Sequence, residues 1–373
     1  MAQLLAYEQI HSYGGMLDVD LEEDTDKIKI EVMPGADGLF NVAAWENVEE
    51  QDLEGIIRYE RTVCLLGRGP VILAGIGLPD VAPLVYRELD SGGRVKLSET
   101  VYEPEEGKDF LEDPRVLLQG GKLIIGLTSV IKKGEEYIPH PAIVITSKAE
   151  LATGLREHKI VTNLGRGDQT TPIGDNIDGK NTTIIDETTF MFRPEGTENN
   201  HRLRVFRLND GELIIQQNDI KLPDNIPWAT FKAGTTMPPV WLNDREAIFP
   251  IHGIRKDQNG IFVYSIGSAR LVRSVDGILS VDNISQKPLI YPELFDGLVD
   301  TEKVELHPEF RHAVYCVSGS PVYDSCGNFQ ELKMIVSRGD TLTFEVTVPK
   351  NKLVEGWHTD QDVHPLQPLS EAA

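Results

Sequence analysis

Residues 111–130 read LEDPRVLLQGGKLIIGLTSV, and this stretch decides the fold. Apolar runs lie on both sides of Gly120-Gly121, a pair suited to the positive φ values of a tight hairpin turn. The stretch therefore reads as two antiparallel strands, with Glu112, Asp113, Pro114 and Arg115 at the mouth of the hairpin. Pro114 fixes its own φ and is expected to push Asp113 toward an extended conformation. Arg115 is close enough in sequence to hold a carboxylate by charge-assisted hydrogen bonds. The result is an acid aimed from the end of a strand, where catalytic groups of all-β enzymes commonly lie. The competing reading is a structural Asp-Pro turn with a surface ion pair.

The hairpin pattern recurs outward from this point. TTFMFRPEG from Thr188, RVFRLNDGELIIQQ from Arg204 and AIFPIHGIRKDQNGIFVYSIGSARLV from Ala247 are strand-like, and so is the long run from His312 to Val348. Asn-Asp-Gly, Gln-Asn-Gly and Ser-Cys-Gly-Asn divide these runs as turns. Helical patterns are few: a turn of helix over Ala149–Glu157 and another over Glu46–Ile57. Strand pairs over most of the chain, without alternating helices, predict an all-β sandwich, barrel or propeller. Their recurrence roughly every 50–70 residues favours a five-bladed β-propeller. The expected organisation is a lead-in or accessory segment over 1–37, the propeller over 38–355 and a polar tail over 356–373.

The chain has 373 residues and a net charge of −23, from 36 basic and 59 acidic side chains. This balance argues against a nucleic-acid or anionic-membrane surface, which needs clustered positive charge. It leaves room for one local basic pocket, informative because it would oppose the global field. Three cysteines, Cys64, Cys316 and Cys326, do not make a disulfide framework and are expected reduced. The N-terminal stretch lacks a signal-peptide pattern and no apolar run is long enough to span a membrane, so a cytoplasmic location is expected.

With the strand pairs laid out, the chain resembles glycoside hydrolase family 130, five-bladed propellers that act on β-mannosides. The resemblance covers about residues 38–350 as an ordered series of segments. FNVAAW at Phe40 is similar to the family's Asn-Pro-Ala segment, with Val42 in place of the proline, and LEDPRV matches its Glu-Asp-Pro-Arg core. Gly179-Lys180-Asn181 followed by FMFRPEG resembles a Lys-Asp strand and its Arg-Pro, with Asn181 in place of the aspartate. WATFKAGTTMPPVW, Ile251-His252-Gly253, KPLIYPELFDGLV and SRGDTLTFEV resemble the later segments in order.

The resemblance implies that Asp113 is the proton donor of an inverting phosphorolysis that yields α-mannose 1-phosphate. Inorganic phosphate would be co-substrate, with no cofactor and no metal. Single displacement needs one acid and an opposing nucleophile, which phosphate supplies itself. Phosphate needs cations around it, and Arg193, Lys232 and His252 occupy the family's basic positions, with Arg207 a fourth candidate. Glu112, Arg115, Asn41, Lys180 and Asp340 fall on substrate-binding positions. Arg115 is expected to brace Glu112 or the substrate, and Arg338 to narrow the pocket. The expected partners are a short β-mannoside and phosphate; a homo-oligomer is one assembly that such propellers reach through terminal extensions.

Two alternatives stay open. A hydrolase of the same fold would use a carboxylate to activate water, with Glu246 and Glu293 as candidates. A non-catalytic propeller would bind a glycan or a partner. Trp228, Trp241 and Tyr264 could stack on a sugar, though core packing is the commoner fate of such residues. The near-P-loop over 174–181 lacks the hydroxyl residue and the helix that such a loop needs. His358, Asp360, Asp362 and His364 lie in the polar tail and carry little weight as metal ligands.

Overall fold

The computed structural model describes residues 27–36, 39–53, 56–69, 82–104, 110–133, 136–155, 178–196, 200–210, 212–298, 311–339, 342–355 and 357. The earliest described strand is β1 (Lys29–Val32), which belongs to the last sheet. Blade one is β2 (Phe40–Leu53), β3 (Ile56–Arg68), β4 (Leu84–Leu89) and β5 (Val95–Tyr102). Blade two is β6 (Phe110–Gln119), β7 (Lys122–Lys133) and β8 (Glu136–Thr146). Blade three is β9 (Gly179–Ile184), β10 (Thr189–Pro194), β11 (Arg202–Asn209) and β12 (Glu212–Ile215), with β13 (Ile220–Lys221) also paired to β11. In blade four, β14 (Lys232–Thr235) and β15 (Val240–Trp241) both pair with β16 (Glu246–Lys256), followed by β17 (Phe262–Arg273) and β18 (Leu279–Asp282). Blade five is β19 (Val314–Tyr323), β20 (Phe329–Arg338) and β21 (Leu342–Pro349), completed by β1.

The architecture is the expected all-β five-bladed propeller. Paired strands within each blade run antiparallel, and several, such as β6–β7, β11–β12 and β16–β17, are joined by short turns. Gln119 faces Lys122 across Gly120 and Gly121, whose φ values of 58° and 76° suit the two-residue turn read from the sequence. Five buried apolar clusters lie between adjacent blades, and the one between blades one and two also takes in Tyr315 and Val317 of blade five. Trp45, Leu66 and Tyr86 meet Phe110, Ile125 and Val144 between blades one and two. Ile124 and Ile143 meet Phe190, Phe192 and Phe206 between blades two and three. Met191, Leu203 and Val205 meet Ala233, Phe249 and Leu271 between three and four. Ile248 and Ile266 meet Val314, Met334 and Val346 between four and five. Leu39, Val42 and Leu65 meet Ile335 between one and five. Each blade thus hides both faces, and the ring is closed by burial of apolar surface.

Two expectations change. The described residues of Glu46–Ile57 are not helical: they belong to β2 and β3, paired residue for residue from Ala43↔Leu66 to Leu53↔Ile56. Cross-strand pairing along the whole hairpin overrides the local helical pattern. Of the segment read as a lead-in or accessory element, Lys29–Val32 forms β1 and adds to blade five, with Ile30 in that blade's core. Trp357, placed in the polar tail, packs against the same core. Of the helix expected over Ala149–Glu157, the described residues show one turn, Lys148–Leu151, capped by a reciprocal Ser147–Glu150 box. All three cysteines are free, with Cys316 buried and Cys326 exposed.

A candidate active site where the inner strands begin

The inner strands β2, β6, β9, β14 and β19 bring their first residues to one end of the ring. Three of them carry the same device. In β2, residues 41 and 42 stand opposite one partner; in β6, residues 113 and 114; in β9, residues 181 and 182. Each is a β-bulge, and its first residue has positive φ: Asn41 at 49°, Asp113 at 50° and Asn181 at 64°. Asn and Asp tolerate this region better than other residues with a β-carbon, which explains their choice at these positions. Asp113 is therefore left-handed, not extended as Pro114 alone would make it. The bulge overrides the pre-proline preference, and Pro114 sits where a missing N–H is tolerated.

The bulges turn their side chains toward one another. Asn41 donates from Nδ2 to Oδ1 of the half-buried Asp113 at 2.8 Å. Asn41 is itself held by its backbone N–H on Ser337 Oγ at 2.7 Å. Asn181 donates to the hydroxyl of Tyr315. Thr235 donates from its hydroxyl to the carbonyl of Asn181.

Arg115 is fully buried and crosses between blades. Its Nε donates to the carbonyl of Thr236, Nη1 to the carbonyl of Asp113 at 2.9 Å, and Nη2 to Tyr315 Oη at 2.7 Å. It thus ties blades two, four and five and fixes the backbone of Asp113. It does not brace Glu112, because the bulge turns the guanidinium inward. Glu112 is buried and pairs instead with Lys180, Oε2 to Nζ, at 3.4 Å.

The cations gather beside this network. Arg193 stands opposite Lys180 in the β9–β10 register. Arg193 Nη2 donates to Glu195 Oε1 at 2.7 Å, and Lys232 Nζ lies 3.9 Å from Glu195 Oε2. Arg193 is buried, and its Nε meets no acceptor. Burial alone would raise the carboxyl of Glu195, but Arg193, Lys232 and Lys180 together hold it below the usual carboxylate range. Burial and the neighbouring Arg193 lower Lys232, against the opposing pull of Glu195.

His252 lies between the two groups. Burial, with Arg193 and Arg115 nearby, depresses its imidazole to about 3, so it is neutral rather than cationic. Nδ1 faces the carbonyl of Thr235 at 3.0 Å. A carbonyl only accepts, so Nδ1 carries the proton and Nε2 keeps a lone pair. The ring meets Tyr315 edge-on, with centroids 5.2 Å apart. Burial raises the Tyr315 hydroxyl above the ordinary phenol range, so it stays protonated. Gly234, opposite His252 in the register, leaves the space that the imidazole fills.

The structure thus brings together Asn41, Glu112, Asp113, Arg115, Lys180, Arg193, Lys232 and His252. It does not bring Arg207, which is exposed and pairs with Thr189, four residues along β10 from Arg193, or about 13 Å at strand rise. Asp340 lies outside the described residues. Glu246 begins β16, six residues from His252 or about 20 Å, and pairs with Arg270 at 3.4 Å. Glu293 is exposed. Arg338 is buried on the second strand of its blade and donates to the carbonyl of Arg311. Trp228 is core, packed over Gly253 and Gly267 with Nε1 on the carbonyl of Ser285 at 2.9 Å. Trp241 is half-buried under Arg273, 4.3 Å from its ring centroid.

Sequence reasoning missed Glu195, Tyr315 and Asn181 as partners in the site. Glu195 follows directly on the Arg-Pro pair, which was the available signal. Tyr315 gave none, since a tyrosine in a strand reads as core.

No protein-family model matches the chain, nor does any curated protein. Among solved structures, a glycosyl hydrolase from Bacteroides ovatus superposes with a TM-score of 0.53 at 12% identity, over 85% of this chain and 90% of that one. A mannose phosphorylase from Leishmania mexicana, solved with a phosphate ion, gives 0.49 at 12% identity, over 93% and 92% of the two chains. A GDP-Man-dependent mannosyltransferase from the same organism gives 0.49 at 12% identity, over 95% and 96%. At this identity the likeness to the hydrolase establishes the fold. Among the described residues, no helix is long and apolar enough to cross a membrane, and no group of His, Cys, Asp and Glu is arranged to hold a metal.

Proposed function

We propose that this chain is a carbohydrate-active enzyme that cleaves β-mannosides by inverting phosphorolysis, with Asp113 as the proton donor. One observation carries the reading: a carboxyl held by Asn41 at 2.8 Å adjoins a cluster of Lys180, Arg193 and Lys232, in a chain of net charge −23. Grouped cations repel one another and lose hydration, so such a cluster is useful where an anion must be held. Arg193 keeps a buried Nε without an acceptor, a donor that a phosphate oxygen would satisfy. The fold is one that a glycosyl hydrolase also uses. Mannoside as substrate rests on the ordered motif series.

In the step itself, a phosphate oxygen bonds to the anomeric carbon from the face opposite the departing group. The glycosidic bond breaks, and the Asp113 proton passes to the leaving oxygen. Neutral His252 offers a lone pair at Nε2, able to accept from a protonated phosphate oxygen. The carboxylate left on Asp113 recovers a proton from solvent or phosphate.

A second reading is favoured by Glu195. An ionised carboxylate inside the cationic cluster is the group that an inverting hydrolase needs to activate water. Short β-mannosides incubated with and without phosphate separate the two. The phosphorylase gives α-mannose 1-phosphate only with phosphate present. Free mannose at a rate indifferent to phosphate would select the hydrolase. Saturable sugar binding without turnover would leave a binding propeller, and turnover lost in Asp113→Asn removes that option.

A further inference from the structure

The cationic cluster already holds an anion of its own. Glu195 Oε1 takes the Arg193 Nη2 proton at 2.7 Å, and Oε2 lies 3.9 Å from Lys232 Nζ. The carboxylate therefore spans the two cations that a tetrahedral oxyanion would bridge. We propose that Glu195 is the specificity-determining residue for the nucleophile: its carboxylate occupies the anion site and must leave before phosphate enters. This rests on the phosphorolysis reading above.

The physical basis is competition between like charges. A carboxylate and a phosphate dianion cannot share one Arg–Lys pair without repulsion across a few ångströms, in surroundings that water screens poorly. Glu195 can yield the place. It follows the end of β10, and its side chain is about a quarter exposed at 26%. Arg193 is far more deeply buried, with its side chain 6% exposed. The carboxylate therefore moves while the guanidinium stays. With Glu195 seated, the cluster favours a neutral nucleophile; with Glu195 displaced, it favours an anion.

The test needs no glycoside. Inorganic phosphate is titrated into wild type and Glu195→Gln by calorimetry at neutral pH. The expected result is binding at least about tenfold tighter in the variant, because one repelling charge is gone. The KM for phosphate in phosphorolysis falls in parallel. Equal or weaker binding in Glu195→Gln overturns the proposal and makes Glu195 a brace for Arg193. If the glutamine variant is poorly folded, Glu195→Ala decides by the same criterion. Wild-type crystals soaked in phosphate give an independent reading. Phosphate on Arg193 with the carboxylate swung away supports the proposal; a retained Arg193–Glu195 pair with phosphate bound beside it refutes it. Tighter phosphate binding in the variant of a protein that turns over no mannoside would sink the functional reading alone.

Discussion

Replacing Gly234 with alanine tests whether the site is as tightly built as its contacts indicate. The added Cβ would stand 2.7 Å from Cε1 and 3.2 Å from Nε2 of His252, and 3.4 Å from Cδ of Arg193. Carbon atoms at rest are about 3.5–4.0 Å apart, so the methyl overlaps the imidazole by roughly 1 Å. The ring has nowhere to retreat. It is buried, bonded to the Thr235 carbonyl at 3.0 Å and set edge-on against Tyr315. Overpacking of this kind costs about 1–3 kcal/mol, and losing the His252 hydrogen bond adds about 1 kcal/mol. Urea unfolding of Gly234→Ala should therefore show a loss of about 2–4 kcal/mol, with weaker phosphate binding because His252 is displaced from its place beside the cations. The control is Gly260→Ala, at φ 79° with nothing within 4 Å of the new methyl. It should cost about 1–2 kcal/mol from backbone strain alone and leave phosphate binding unchanged. A Gly234→Ala protein within about 0.5 kcal/mol of wild type, a change typical of neutral surface positions, would show that the packing argument is wrong.

Asp113→Asn should lower turnover of every accepted glycoside by about 10²–10⁴-fold while the fold persists, read by steady-state kinetics beside circular dichroism. Asn41→Ala frees the acid from its 2.8 Å hydrogen bond and should reduce kcat by about tenfold, with phosphate affinity from calorimetry unchanged. Arg115→Met leaves the carbonyls of Asp113 and Thr236 without their donor and should cost about 3–5 kcal/mol in urea unfolding. His252 titrates near 6.5 when unfolded and at about 3 when folded. Between these values the unfolded chain binds the extra proton, so stability falls as pH drops, by up to about 1.4 kcal/mol per unit. His252→Gln should flatten that part of the stability profile, and an unchanged slope would show that the imidazole is not buried neutral.

Much of the fold was legible because strands and turns leave local marks. Gly120-Gly121 and the other Gly-containing turns lie where the chain reverses, and the spacing of strand pairs matches the five blades. The hairpin over Glu46–Ile57 was not legible, since its pairing is set by the partner strand. Asp113, Arg193 and Lys232 could be found as members of an ordered series. Their neighbours could not, because bulges decide them. Asn41, Asp113 and Asn181 are the same structural position in three blades, yet the residues around them read NVA, DPR and NTT, with no letter shared by all three to reveal a repeat. Arg207 misled for the opposite reason: an arginine beside an apolar strand looks the same in sequence whether its end of the strand faces the site or the solvent.

The strand β1 has a consequence for how the molecule is made. Lys29 pairs with Thr347 and Val32 with Phe344, so the last blade joins the earliest described strand to the latest. At a synthesis rate of about 5–20 residues per second, the first partner waits on the order of 15–60 s for the second. Meanwhile its backbone N–H and carbonyl groups have no strand to pair with, and the apolar face of blade one that meets Ile335 has no cover. Contacts this distant in sequence make folding slow. The nascent ring is therefore an open arc until β21 has been made, and this interval is when it is most exposed to pairing with another chain.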